Sequence, residues 1–175
     1  MRLLLLTGLL FITSLGFSQS ALKLKDGRYI ATECIRNNPT ANTESFFNSL
    51  EAWLRQNFKE TEKSILINKA EKFAIAEGYY LIINKGLVSR DIPGAIQYKL
   101  KIELIDNSYI YIFHDFVFQV FEKNENGQYL PTKRFSNIET LESLVGKEKA
   151  SDLMADLEKR IKSLANSLKS DLAKL

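Results

Sequence analysis

His114 and Asp115 stand side by side in an aromatic segment, and His114 is the only histidine of the chain. A histidine beside a carboxylate is the simplest general-base pair, the acid orienting the ring and the ring taking the proton. In a regular strand, however, neighbouring side chains point to opposite faces, and only a bulge would bring the two together. The spacing therefore predicts no dyad. His114 is expected to fill a mixed polar and aromatic position, and Asp115 to end or kink the strand. Cys34 is the only cysteine, so no internal disulfide can form. A thiolate–imidazole pair with His114 would require the first strand to lie beside the one carrying His114, with both side chains on one face. Nothing in the sequence sets those faces. Because Cys34 lies in the apolar-rich run Tyr29 to Ile35, it is expected to be a small buried strand residue. One histidine, one cysteine and scattered acids lack the spacing of a zinc or calcium site. No phosphate-binding glycine loop or Gly-x-Ser-x-Gly elbow occurs. No catalytic residue, metal or cofactor is expected, and a Cys/His-dependent enzyme is the weakest of the functional readings.

Aromatic residues carry more information. Tyr79, Tyr80, Tyr98, Tyr109, Tyr111 and Phe113 crowd the central segments, followed by Phe116 and Phe118. Between Tyr109 and Phe118 both parities are largely apolar or aromatic. One face of such a strand must meet helices. The other is either covered or an exposed aromatic patch suited to a partner or apolar ligand. Alternatively the tyrosines sit at strand edges with their hydroxyls in water. The first six of these aromatics are the candidate binding residues.

The elements that must position them follow from periodicity. Leu22 to Gly27 reads as a lead-in with a turn, Arg28 to Arg36 as the first strand, and Asn37-Asn38-Pro39-Thr40 as a break. Asn42 or Thr43 can cap a helix with Glu44 in its first turn. Phe46, Phe47, Leu50, Trp53, Leu54 and Phe58 then recur at helical spacing, a wide stripe that needs a sheet to bury against. Apolar runs follow over Ser64–Asn68 and Lys72–Lys85, and Gly86 to Gly94 with Pro93 reads as a loop. In Ile96–Ile105, Tyr98, Leu100, Ile102 and Leu104 alternate with Lys99, Lys101 and Glu103, as in an antiparallel strand wet on one side. Asp106-Asn107-Ser108 turns into a strand from Tyr109 to Phe121, completing a hairpin. Asn124 to Gly127 is another turn. Gln128 to Ser136, polar and containing Pro131, reads as a loop with at most a short edge strand. Glu139 to Val145 gives one or two helical turns stopped by Gly146. Lys149 to Leu175 is a long helix with a stripe of Leu153, Leu157, Ile161, Leu164, Leu168, Leu172 and Leu175. It would reach about 40 Å, against about 24 Å for a five-stranded sheet, so an overhang is expected. The order β-α-β-β-β-β-α implies an α+β fold of two layers, a curved antiparallel sheet of about five strands with helices on one face.

Residues 1–20 complete the reading. Met1-Arg2, an apolar run from Leu3 to Ile12 and small or polar residues to Ser20 have the form of a secretory signal peptide, with cleavage after Ser18, Gln19 or Ser20. The run is short for a membrane span, which needs about 20 apolar residues. Without a cysteine after it, no lipid anchor is expected. The product is expected to be periplasmic or secreted, with no transmembrane anchor after cleavage. The remainder, 21–136 with the sheet and first helix and 137–175 with the short and long helices, is expected to be one domain. The formal net charge of +3 for 24 basic and 21 acidic residues falls to +2 without Arg2, which argues against nucleic acid or an anionic surface.

Three stretches resemble a known family: Ala76-Glu77-Gly78-Tyr79-Tyr80, the hairpin from Tyr98-Lys99-Leu100-Lys101-Ile102 to Tyr109-Ile110-Tyr111-Ile112, and Asp115-Phe116-Val117-Phe118. In these the chain, over about Gly27 to Phe121, is similar to exported bacterial domains of unknown function with a TATA-binding-protein-like fold. The family shares the export signal and a similar final helix. The resemblance implies that fold and no settled activity. The TATA-binding protein holds DNA on its concave sheet with basic residues and aromatic wedges, but here Lys99 and Lys101 alternate with Glu103 and export separates the product from DNA. The expected function is a non-catalytic binding module of the cell envelope, acting on an envelope protein or other component through an aromatic sheet face. The alternative is a carrier holding an apolar small molecule between sheet and long helix, lined by Phe46, Phe47, Trp53 and Phe58.

Overall fold

The computed structural model describes residues 22–36, 42–85, 90–106 and 108–174. The leader read over 1–20, the break at 37–40 and Leu175 lie outside the described residues. Seven strands form the sheet: β1 (Lys23–Lys25), β2 (Arg28–Arg36), β3 (Leu66–Asn68), β4 (Phe73–Lys85), β5 (Arg90–Ile105), β6 (Ser108–Lys123) and β7 (Tyr129–Asn137). The helices are α1 (Thr43–Asn57), α2 (Leu141–Val145) and α3 (Lys147–Leu172). The class is α+β with an antiparallel sheet, as expected, but with more strands.

The three differences at the strand level have local causes. Lys23–Lys25 is a strand because Asp26 and Gly27, with φ of 50° and 75°, make a tight hairpin back onto β2. Arg90 to Gly94 belongs to β5 rather than to a loop; Gly94 fits where a Cβ would run into the Phe118 ring and the Gln119 carbonyl. Tyr129–Asn137 is a nine-residue strand on β6, with Pro131 registered to Phe121. Edge strands admit proline and polar residues because their outer N–H groups need no partner.

The longest row of the sheet runs β1-β2-β6-β5-β4-β3, with β7 also on β6. β5 pairs with β6 along most of its length. On its other side β6 pairs first with β2, over Ser108–Phe113, and then with β7, over Val117–Lys123. The sheet therefore forks where β2 ends its pairing and β7 begins.

All three helices lie on one face. Asn42 caps α1 by accepting the Ser45 N–H at 2.7 Å. The stripe read from the sequence is buried, with Phe46, Phe47 and Leu50 fully so. Side chains of this size contribute about 1.5–3 kcal/mol each on burial. The Phe46 and Phe47 ring centroids are 5.3 Å apart and those of Trp53 and Phe58 5.9 Å, so these rings pack on one another as core. The Trp53 indole N–H donates to Ser167 at 3.0 Å and ties α1 to α3. α3 runs from Ile82 of β4, beside Leu153, to Glu33 of β2, which accepts from Lys169 at 3.0 Å. Its apolar stripe is buried from Ala150 to Leu172. The expected overhang does not occur along this stripe, because a wider sheet and α1 supply cover. No helix among the described residues is long and apolar enough to cross a membrane.

Candidate functional site

The fork in the sheet is also where β6 departs from regularity. Gln97 is registered to Val117 but Lys99 to His114, so three residues of β6 span what two of β5 span. Asp115 is the extra residue, with φ of 54° in the left-handed region. The extra residue reverses the alternation. Before it Tyr109, Tyr111 and Phe113 face the helices; after it Phe116 and Phe118 do. Tyr98 sits between the halves, its ring 6.0 Å from Phe113 and 6.1 Å from Phe116. It also covers Gly78, where any Cβ would overlap the Tyr98 ring.

The bulge changes what His114 and Asp115 can do. His114 Nδ1 lies 3.3 Å from Asp115 Oδ1. The expectation that strand geometry keeps them apart is thus overturned, and the bulge is the reason. Lys99 Nζ is 3.4 Å from Asp115 Oδ2 and Arg28 Nη1 is 3.7 Å from Oδ1. Burial pushes the Asp115 pKa up, but the hydrogen bonds and charges of His114 and Lys99 outweigh it, and the net shift is downward.

Asp115, Lys99 and Arg28 line a cleft of about 650 Å³ on the face away from the helices, and His114 stands beside it. Its floor comes from Tyr79, Gln97, Lys99 and Val117 on three neighbouring strands. One end is formed by Glu77 and Thr61 and the other by Arg28, Asn137 and Glu139. Glu139 Oε1 accepts the Tyr29 backbone N–H at 2.7 Å, a donor that β6 leaves free where the strands fork. Gln97 donates to Gln119 at 3.0 Å across the floor. Glu77 is directly opposite Lys99 in the register, yet Lys99 pairs with Asp115. The Glu77 carboxylate has no ion pair among the described residues.

The six aromatics singled out from sequence are not brought onto one accessible face. Tyr98, Tyr109, Tyr111 and Phe113 are buried beneath the helices, and Tyr80 is half-buried on that same side, its hydroxyl sealed and without a hydrogen-bond partner among the described residues. Burial pushes the hydroxyl pKa of Tyr98 and of Tyr109 up to about 12. The Tyr111 hydroxyl donates to Glu33 at 2.7 Å, and this bond is the main cause holding the Glu33 pKa below its usual value. Of the six, only Tyr79 belongs to the open face, and Tyr98 contributes to the lining of the cleft beside it. The aromatic parity is thus the core parity. The open face carries Ile110, Ile112, Val117 and Gln119 instead.

Cys34 is exposed, not buried. In β2, Ala31 lies on the helix side and Glu33 reaches Tyr111 and Lys169 there, so Thr32 and Cys34 are left on the open face. Cys34 is registered to Ile110, four residues from His114, or about 13 Å along the strand. The two share a face but cannot form a thiolate–imidazole pair.

Sequence reasoning missed Arg28, Gln97, Asn137 and Glu139, which come from distant positions. One signal was present: core residues at 109, 111 and 113 and again at 116 and 118 require a parity switch, and only His114 and Asp115 separate the two sets.

No curated protein matches this chain. Among solved structures it is similar to a TBP-like protein from Parabacteroides distasonis ATCC 8503, with a TM-score of 0.66, 13% identity, and 86% of this chain and 96% of the other covered. It is also similar to a DUF4468 family protein from Bacteroides ovatus ATCC 8483, with a TM-score of 0.55, 11% identity, and 89% and 90% covered. At these identities the likeness is one of fold. The segment that matches a family model holds α1, β4, β5 and β6 as far as Gln119: residues 36–119 match DUF4468, a domain of unknown function with a TBP-like fold.

Proposed function

We propose that the protein is an exported, non-catalytic binding module of the cell envelope that holds its partner on the open face of the sheet. The observation that carries this is the asymmetry of the two faces. Helices cover one, over the residues that form the core. The other keeps half-buried aliphatic groups beside a cleft with charged ends, a composition typical of surfaces that bind. The position of the site differs from the sequence expectation. It is the face of Tyr79, Ile112 and Val117, while Tyr98, Tyr109, Tyr111 and Phe113 support it from beneath. Export rests on the form of residues 1–20, and the partner is an envelope protein or another envelope component.

The test compares capture by the purified mature chain with capture by two variants that keep the native circular dichroism. Ile112→Glu combined with Val117→Arg alters the open face, and Ser163→Glu alters the outer side of α3. Loss of the captured species with the first variant and retention with the second is expected. Equal capture by both variants would rule out the open face. Recovery of the chain from the envelope or medium without its first 18 to 20 residues tests export, and an intact chain in the cytoplasm would contradict it.

A further inference from the structure

The charged groups of the cleft are ordered across the strands. Glu77 on β4 is followed by Lys99 on β5, by Asp115 on β6, and by Arg28 on β2, with Glu139, whose Oε1 is engaged by the Tyr29 N–H, at the Arg28 end. Lys99 and Arg28 both turn to Asp115, at 3.4 Å and 3.7 Å. These separations are longer than the 2.7–2.9 Å or so of a fully formed charge-assisted hydrogen bond. Exposed pairs of this kind add about 0–1 kcal/mol to stability, so the cluster is not explained by what it does for folding. Arg28, whose side chain is 77% exposed, keeps donors available to another anion. At the opposite end Glu77 presents a carboxylate with no ion pair among the described residues. Tyr79 and Val117 lie between.

We infer that the cleft takes a short peptide laid across the strands, its free amino group at Glu77 and its free carboxylate at Arg28. This rests on the docking reading above and gives it a ligand class. The dimensions agree. Three inter-strand steps from β4 to β2 amount to about 14 Å, and four extended residues span about 13–14 Å. Asp115 acts as the internal counter-ion that keeps Lys99 and Arg28 in place when the cleft is empty. His114 holds Asp115 from outside the lining of the cleft. Tyr79 and Val117, beside Lys99 and Asp115 in the middle, accept small side chains without selecting among them. The two charged ends set length and direction.

The test uses the full mature chain, labelled with ¹⁵N, and three probes: tetraalanine, N-acetyl-tetraalanine and tetraalanine amide. Saturable shifts of the Tyr79, Lys99 and Val117 amides are expected with tetraalanine. Capping either end should weaken binding about fivefold or more, the scale of one lost charge contact near a surface. Arg28→Gln should abolish the difference between free acid and amide, and Glu77→Gln that between free amine and acetyl. Equal binding of all three peptides, shifts confined to α1 or α3, or no saturable shift with tetraalanine would overturn the inference. If tetraalanine fails while capture still depends on Ile112 and Val117, only the peptide assignment falls. Capture indifferent to the open face would remove the docking reading itself.

Discussion

Phe113 and Ile112 are neighbours on β6 and lie on opposite sides of one sheet. On the helix side Tyr109, Tyr111, Phe113, Phe116 and Phe118 are at most 5% exposed, and their rings interlock with Tyr98 and Phe46. On the other side Ile110, Ile112, His114, Val117 and Gln119 stay half-buried, with no helix above them among the described residues. The aromatic side chains went to the side that excludes water, where ring area contributes most. The open side kept aliphatic groups, amides and paired charges, which tolerate water and can still meet a partner. Aromatic content in the sheet thus marked its core rather than its open face.

The comparison can be broken most forcefully at Phe113. Phe113→Ala should cost about 3–5 kcal/mol in denaturant unfolding, and Ile112→Ala, one residue away, about 1 kcal/mol or less. Similar losses at both positions would mean that the faces are not as different as described. Gly78→Ala should cost about 1–3 kcal/mol, because the new methyl must displace the buried Tyr98 ring. A neutral result would show the ring to be mobile. The core tyrosines also give the covered face a pH signature. Tyr98 and Tyr109 are raised from about 10 to about 12. Their contribution to stability is complete below pH 10 and lost as pH rises from there through about 12. Tyrosinate absorbance from these residues should therefore appear together with alkaline unfolding, not before it. The smallest effect belongs to the open face. Cys34→Ser should change stability by less than about 0.5 kcal/mol, while Cys34 in the folded wild type should react fully with a thiol reagent. A protected thiol would place it on the wrong side.

Much of the fold could be read from local rules. Alternation set β2 at Arg28–Arg36 and the face assignment of Tyr98, Leu100, Ile102 and Leu104, and Asn42 with helical spacing placed α1. What escaped depends on partners far along the chain. β7 is polar and holds Pro131, and it is a strand only because β2 leaves half of β6 unpaired. The bulge has an Asp rather than a Gly at its left-handed position, so no glycine announced it. Cys34 was assigned by the apolar company it keeps, whereas its exposure follows from its parity relative to Ala31. The cleft combines Arg28, Glu77, Lys99, Asp115 and Glu139, residues separated by up to 111 positions, and no spacing rule joins them.

The central claim is that contact is made by the open face. Its most direct test is a photo-crosslinking residue placed at Tyr79 and, separately, at Ser163, each in an otherwise unchanged chain in living cells. The account predicts a discrete crosslinked species from position 79 and none from position 163. A species formed only from position 163, or equally from both, would contradict it.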